Sequence, residues 1–347
     1  MFNGGFKKLG LWLMQVIFKV IRQKPNTSPV VQTYQMDAEP GNTILDCLNR
    51  IKWEQDGTLA FRKNCRNTIC GSCAVRINGR SALACKENVG SEIASQQQAF
   101  GTTSESAIPE IIVAPLGNMP VIKDLVVDMS SFWDNLEAVT PYVSTAVRQV
   151  PEREFLQTPS ERSRLDQTGN CIMCGACYSE CNAREVNENF VGPHALAKAY
   201  RMVADSRDNN TENRLEAYNE DTKGVWGCTR CYNCNSVCPM DVAPMEQITK
   251  IKQEILDRKE KSDSRSIRHR KVLIDLVKKG GWIDERQFGL RVVGNSFQDL
   301  RGLLGIAPLG LRMLARGKFP LKFEPSEGAI EVRNLIEAVE EEEGNRE

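Results

Sequence analysis

The sequence predicts an α+β chain in which a small β-rich domain precedes an all-helical domain. Apolar and polar residues alternate from Met14 onward, which is the period of a half-buried strand. From Ser130 onward strand-like runs are few, and several segments show the helical period instead. Both regions contain regularly spaced cysteines, which predict loops that bind metal.

Composition excludes several classes of protein. The 347 residues are enough for two hydrophobic cores, and 41% apolar with 26% charged residues is ordinary for a globular chain. Forty-five basic residues balance forty-five acidic ones, so no overall field draws the chain to nucleic acid. The longest apolar stretch near the start, Leu9 to Phe18, is about half as long as a bilayer crossing requires. We therefore expect no transmembrane helix.

The cysteine count bears on the compartment. Lys7 and Lys8 before an apolar stretch imitate a signal peptide, but no small-residue cleavage site follows, and Lys19 and Arg22 come directly after it. We therefore expect no signal peptide and a reducing, cytoplasmic compartment, where cysteines indicate metal or redox chemistry rather than disulfides.

The β-rich domain is expected over residues 14–125. Residues 1–13 are expected to be an extension before it; alternatively, Met14 is the true start of the protein. Val16, Phe18 and Val20 share one face of the first strand, and Val30–Met36 returns as the second. Asn42 or Thr43 can cap the following helix. A thiol-rich loop and short strands at Ala74–Ile77 and Ser81–Ala84 complete this domain.

The helical domain is expected over residues 126–261. Gly192-Pro193 opens one helix, with proline at a position where its missing N–H costs nothing, and Met245–Lys259 forms another. Residues 262–347 are a C-terminal extension with a helix at Ile267–Lys279. The apolar, arginine-spaced segment Leu300–Arg316 can lie on a membrane, dock on a partner or pack on the chain itself, and the sequence leaves these alternatives open.

The first cysteine group is Cys65, Cys70, Cys73 and Cys85, in the order C-x4-C-x2-C-x11-C. This is the spacing of plant-type ferredoxins, which hold a [2Fe–2S] cluster. Two strands and a helix before the loop suit a β-grasp, ferredoxin-like domain. Zinc is the rival interpretation, although its usual paired C-x2-4-C knuckles are not present here.

Two further groups share the run C-x2-C-x2-C-x3-C, which is typical of bacterial two-cluster ferredoxins. The fourth cysteine of each run is expected to bind the cluster of the other run. Spacing alone thus predicts two ligand sets: Cys171, Cys174, Cys177 and Cys238, and Cys228, Cys231, Cys234 and Cys181. Cys47 is left over and is expected to be a buried, non-ligand residue. We find no sequence pattern for a catalytic site, so no catalytic residue is predicted.

With these motifs, the sequence resembles the iron–sulfur subunits of the succinate dehydrogenase/fumarate reductase family over roughly residues 14–260. Besides the cysteines, the resemblance rests on Val121–Met129, on Gly192-Pro193 through Arg201, and on Asp205–Asp208 with Arg214-Leu215. It implies a partner flavoprotein with covalent FAD, a membrane anchor and a quinone. It also implies a [2Fe–2S] cluster on the first group, a [4Fe–4S] cluster on the second, and a third cluster that common members hold as [3Fe–4S] through positions matching Cys181, Cys228 and Cys234.

The sequence departs from the common family pattern in three respects. Cys231 stands where common members have a non-ligating residue, so a fourth thiolate and a third cluster of the [4Fe–4S] type are expected. The Trp and His of the usual quinone pocket are missing: 182–189 contains no Trp, and Thr229 follows Cys228. Residues 262–347 are additional. These departures are similar to the subfamily whose anchor is a separate, peripheral, cysteine-rich subunit.

The expected function is therefore electron transfer from a flavoprotein to quinone within succinate dehydrogenase, on the cytoplasmic side of a membrane, by a subunit that is not catalytic alone. One alternative is a fumarate reductase subunit running in the reverse direction, linked to a quinol or a thiol. Another is a stand-alone iron–sulfur sensor or scaffold.

Overall fold

The structure, a computed structural model, describes residues 13–100, 108–145, 149, 154–258, 265–319 and 322–344. The chain forms two compact units, divided between Asp257 and Arg258. Every cysteine belongs to the first unit.

The first unit begins with a five-stranded sheet. Its strands are β1 (Met14–Arg22), β2 (Val30–Ala38), β3 (Ala74–Ile77), β4 (Arg80–Leu83) and β5 (Glu110–Ala114), in the spatial order β2-β1-β5-β3-β4. β1 and β2 are antiparallel, with Met14 opposite Ala38, whereas β1 and β5 are parallel. β3 is antiparallel to both β4 and β5. This sheet bears out the β-rich first half of the predicted α+β fold.

Helix α1 (Ile44–Arg50) crosses the core of this sheet and continues as a π-helical turn over Ile51–Gln55. Thr43 caps α1: its side chain accepts from the Asp46 amide, and the Asp46 side chain accepts from the Thr43 amide. The alternation of β1 is borne out, because Val16, Phe18 and Val20 are all fully buried in the core. Helix α2 (Val89–Phe100) and strand β5 were not predicted from the sequence.

A two-stranded ribbon, β6 (Val121–Lys123) and β7 (Val126–Val127), leads into the helices of the first unit. These are α3 (Ser130–Glu137), α4 (Pro159–Gly169), α5 (Ala176–Ser179), α6 (Asn182–Val186), α7 (Pro193–Val203), α8 (Thr211–Tyr218), α9 (Asn233–Ser236) and α10 (Pro244–Asp257).

Helix α7 is central to the second core. It packs against α3, α4, α5, α8 and α10. Ala195, Leu196 and Ala199 on it are fully buried. The cysteine runs lie in the loops before α5 and α9, so the packed helices hold both loops in place.

The second unit contains α11 (Arg265–Gly280), α12 (Glu285–Phe288), α13 (Leu300–Ala315) and α14 (Ala329–Gly344). Its core is small: Val272, Leu276 and Val292 are buried, and Phe288 packs against them. Gly281, with φ +75°, directly follows the last residue of α11. Across the residues that the structure describes, no helix is both long and apolar enough to cross a bilayer.

Candidate metal centres

The first cysteine group lies in the loop between α1 and β3, with Cys85 just after β4. Backbone amides join its sulfur atoms: the Cys70 amide donates to Cys65 Sγ at 3.3 Å, and the Thr68 amide donates to Cys85 Sγ at 3.3 Å. The loop turns tightly because Arg66, Thr68 and Gly71 all have φ between 57° and 69°. It thus wraps around a common space and points N–H groups at the thiols.

The thiols of this group differ in acidity. Burial opposes ionisation of Cys70, but hydrogen bonds from Ser72 and the Cys65 amide outweigh it and lower the pKa of Cys70 to about 6. Burial and the neighbouring thiols Cys85 and Cys70 raise the pKa of Cys73 to about 12. Cys70 therefore ionises readily to the thiolate, whereas the buried Cys73 requires a nearby cation to do so.

The second group comes together across two separate loops. Cys171, Cys174 and Cys177 precede or begin α5, and Cys238 follows α9. All four side chains line one apolar cavity, together with Met173 and His194 among others. The structure thus joins the cysteines of the first run to the last cysteine of the second run.

The third group forms in the same crossed manner. Cys181, Cys228, Cys231 and Cys234 line a second apolar cavity. Cys231 is exposed, whereas Cys181 and Cys234 are buried. The cavity therefore has one thiol at the protein surface.

The two runs share a backbone conformation around their second cysteine. Met173 and Gly175, on either side of Cys174, have φ of 54° and 85°. Arg230 and Tyr232, on either side of Cys231, have φ of 58° and 64°. A short helix follows in both cases, α5 or α9. Cys231 therefore occupies in its loop the position that Cys174 occupies in the first.

Electrostatics suit both cavities to a positively charged occupant. Burial raises the pKa of Cys174 and of Cys181 to about 11 and that of Cys234 to about 12, and nearby thiols add to each shift. Cys177 is also raised well above its ordinary pKa, by burial and by thiols that include Cys234 of the third group. The two sets are therefore neighbours. Thiolates so close together in apolar surroundings need metal cations to neutralise them.

The donor sets fit iron–sulfur clusters, which proteins hold through cysteine thiolates. Each set surrounds a space rather than one point: among the residues in the described ranges, no three or more His, Cys, Asp or Glu side chains are placed as ligands of a single ion.

The first and second groups are in direct contact through Gly71. A Cβ atom at Gly71 would lie 2.8 Å from both Cα and Cβ of Cys174, closer than real contacts allow. Only glycine, which also tolerates the φ of +69° there, lets the two loops approach this far.

A polar clamp holds α5 against the β-rich part of the first unit. Ser179 Oγ accepts from Ser81 Oγ at 2.8 Å and from the Gly117 amide at 2.7 Å. Asn118 Nδ2 donates to the carbonyl oxygens of Tyr178, Ser179 and Cys181 at 2.8–3.2 Å. The clamp thereby fixes the helix that connects the second and third groups.

His194 is a site residue that sequence reasoning missed. It is buried, stacks on Phe132 with ring centroids 3.9 Å apart, and donates from Nε2 to the Phe132 carbonyl at 2.8 Å. Burial lowers the pKa of His194 to about 3, so the ring is neutral. Its place in the first turn of α7 gave no signal that it would line the second cavity. Cys47, by contrast, lies fully buried in the sheet core and lines neither of the two cysteine cavities, and burial raises its pKa to about 12.

Two protein-family models match the chain. A 2Fe-2S iron-sulfur cluster binding domain matches residues 17–134. A 4Fe-4S dicluster domain matches residues 167–242. The first match contains the whole first cysteine group, and the second contains both other groups.

Individual proteins are also similar. The succinate dehydrogenase [ubiquinone] iron-sulfur subunit 3, mitochondrial, of Arabidopsis thaliana is 36% identical over 244 residues, which cover 69% of this chain and 74% of the relative. A chain of the Mycobacterium smegmatis Sdh1 complex in the apo form superimposes with a TM-score of 0.62 at 24% identity. That superposition covers 73% of this chain and 100% of the Sdh1 chain, and at this identity it supports the fold.

Proposed function

The chain belongs to the family of succinate dehydrogenase iron–sulfur subunits, and we propose that it relays electrons from a FAD-bearing flavoprotein to quinone in such a complex. The observation that carries the proposal is the grouping of twelve cysteines into three neighbouring sets within one compact unit. The chain is part of an oxidoreductase and is an electron-transfer subunit of it. Its cluster-binding domains are of the 2Fe-2S and 4Fe-4S dicluster types.

The proposed ligands follow the three sets. Cys65, Cys70, Cys73 and Cys85 would hold the [2Fe–2S] cluster; Cys171, Cys174, Cys177 and Cys238 would hold a [4Fe–4S] cluster; Cys181, Cys228, Cys231 and Cys234 would hold the third. When bound, such clusters supply one-electron carriers whose potentials depend on cluster type, hydrogen bonds to sulfur and exposure to solvent.

The chain's own residues would tune and protect these centres. The amides of Thr68 and Cys70 donate to thiol sulfurs of the first set, and the Val242 amide donates to Cys238 Sγ at 3.4 Å. Such donors stabilise the more negative, reduced form. The linings of the other two cavities are mainly apolar. Contacts within the chain would thus tune the potentials of the clusters and surround two of them with apolar side chains.

A flavoprotein with covalent FAD is the proposed electron donor, and it would dock near the first set. Ile69, between Cys65 and Cys70, is 65% exposed, and Trp53 in the π-helical turn after α1 is 64% exposed. Large apolar side chains of this kind are enriched in the centres of protein–protein interfaces. Their exposure supports a docking surface beside the first cluster.

For the third site we propose a [4Fe–4S] cluster with Cys231 as the fourth ligand. Two observations support it: Cys231 lines the cavity with Cys181, Cys228 and Cys234, and its backbone repeats that of Cys174. Three thiolates leave one iron position without a protein ligand, whereas four complete the set.

Replacement of Cys231 tests this assignment. In a Cys231→Ser complex we expect a [3Fe–4S] signal in electron paramagnetic resonance of the oxidised protein, because such a centre is paramagnetic when oxidised. The unmodified protein should lack this signal, since an oxidised low-potential [4Fe–4S] centre is silent. Cys47→Ala, which removes a thiol outside the three sets, is the control and should stay silent. An oxidised [3Fe–4S] signal already present with Cys231 intact contradicts the assignment.

The proposed exit is a membrane-associated anchor subunit on the cytoplasmic side, with this chain bound peripherally. Cys231 at the surface supports an exit at the third site. Thr229, rather than a histidine, lines that cavity. Because the residues of the usual quinone pocket are missing, we propose that the anchor is a separate, peripheral, cysteine-rich subunit that passes electrons to quinone.

Purification of the intact complex tests the function. We expect a stoichiometric covalent-FAD subunit and succinate-driven reduction of a soluble quinone. Cys73→Ser should abolish quinone reduction while covalent flavin is retained, and Cys47→Ala should retain both. A chain that purifies with its clusters but without any flavoprotein would refute the proposal and favour a stand-alone iron–sulfur protein.

A further inference from the structure

Helix α13 (Leu300–Ala315) exposes apolar side chains that its own unit does not cover. Leu300, Leu304, Leu311 and Leu314 are each more than half exposed; we call them the leucine strip. At about 100° per residue the four lie within about 80° of one another around the helix, so they form one continuous stripe. None of the residues of α13 is buried.

The side of the helix about 100° from the centre of the strip is the one that contacts the protein, and Leu309 on the side opposite the strip is exposed as well. Leu303, Gly310 and Met313 are partly buried, and Leu303 lies close to Gly294. The acidic helix α14 packs on α11, through ion pairs of Lys278 with its glutamates. The leucine strip therefore remains an apolar face without cover among the described residues of this unit.

Basic residues accompany the strip. Arg301, Arg312 and Arg316 lie within about 60° of one another on the wheel, next to the leucines. Lys318 and Lys322 follow, and the sequence from Leu300 to Phe323 contains no acidic residue. An apolar face flanked by arginines is the pattern of a helix lying in the plane of a bilayer surface, with arginine side chains reaching anionic headgroups.

The low intrinsic helix propensity of α13 also favours binding to a membrane surface. Gly302, Gly305, Gly310 and Pro308 all disfavour a helix in water. A helix of this composition gains its stability mainly by burying an apolar face. Lipid can supply that burial and also the negative charge that the arginines match. With 16 residues, α13 is shorter than a bilayer crossing requires.

We propose that the leucine strip of α13 binds directly to a bilayer surface that contains anionic lipid. The site lies on this chain and outside the cluster-binding unit, so it adds a membrane contact to the one an anchor subunit would provide.

Vesicle flotation tests the proposal with the purified full-length chain. We expect it to float with phosphatidylcholine vesicles that contain phosphatidylglycerol, and to float less with phosphatidylcholine alone or at high salt. Leu304→Glu with Leu311→Glu should lower the bound fraction about tenfold or more, because charges on the apolar face oppose insertion. Replacing Arg301, Arg312 and Arg316 by Gln should remove the preference for anionic vesicles.

The matched control lies on α14 of the same unit. Ile330→Glu with Leu335→Glu changes two equally exposed apolar residues and should leave flotation unchanged. Circular dichroism of both double variants checks that the unit stays folded. Failure of the unmodified chain to float, or equal flotation of the Leu304/Leu311 variant, overturns the proposal. If that variant instead loses a stoichiometric protein partner, the strip is a protein interface and the lipid proposal is wrong.

Discussion

Gly71 shows how strongly one residue can constrain a multi-centre protein. Its position in the first cysteine loop requires a positive φ, and its missing side chain leaves room for the backbone of Cys174 in the second. These two requirements are separable, because a positive φ alone would be met by several residue types at modest cost. Only glycine leaves enough room for the backbone of Cys174 at this position.

We expect Gly71→Ala to destabilise the protein by about 1–3 kcal/mol, from backbone strain together with displacement of Cys174. The visible absorbance of the clusters should disappear at a lower urea concentration, and the second cluster should be perturbed as well as the first. Electron paramagnetic resonance of the reduced protein reports the perturbation of the first and of the second cluster.

Gly79→Ala separates strain from contact. Gly79 has φ +88° in the β3–β4 turn, but no atom lies within 4 Å of a Cβ placed there. It should cost about 1 kcal/mol from strain and leave both clusters unchanged. Equal effects of the two substitutions would mean that the contact with Cys174 contributes nothing.

The spacing of the cysteines in the sequence predicts which of them lie together. The side chains that support these cysteines follow no sequence pattern that would predict them. Every cysteine that lines the second and third cavities belongs to the set that the run spacing predicted. Their role as ligands stays a prediction. Ser179, Asn118 and His194 act through contacts with residues 40 or more positions away, so no local pattern marks them.

At the scale of elements, periodic segments were predictable. β1 and α1 each bury one face, and burial of one face is what leaves an apolar period in the sequence. Helix α7 is buried on almost every side, and only Lys198 and Arg201 interrupt its apolar run. Thr43 and Pro193 mark helix starts for local reasons, a cap and a missing N–H. The fold class followed from these segments and was confirmed.

Strand β5 was missed because its signal is short and its partners are distant. It has five residues, between Pro109 and Pro115, and only Ile111 and Val113 are fully buried. Its place between β1 and β3 depends on pairing over long sequence separations, parallel on one side and antiparallel on the other. Five residues cannot encode that placement, although they complete the sheet that supports the first cysteine loop.

The whole molecule separates electron carriers from the C-terminal helices. The first unit contains all thirteen cysteines and the two large cores, one around the sheet and one around α7. The second unit has its own small core at Val272, Leu276 and Val292. A division of this kind predicts that the first unit needs no contribution from the second to bind its clusters.

Truncation after Asp257, where α10 ends, tests this division. We expect the shortened chain to keep the iron and sulfide content and the reduced-state resonance spectrum of the full chain, because every proposed ligand and both large cores remain. It should also retain the covalent-FAD partner, whose proposed docking surface at Ile69 and Trp53 is unchanged. Flotation with anionic vesicles should be lost, because α13 is removed. The full-length Leu304→Glu, Leu311→Glu variant is the control, and it should match the truncated chain in flotation. Loss of any one cluster on truncation would show that the second unit stabilises the first, and that the two cores are not independent.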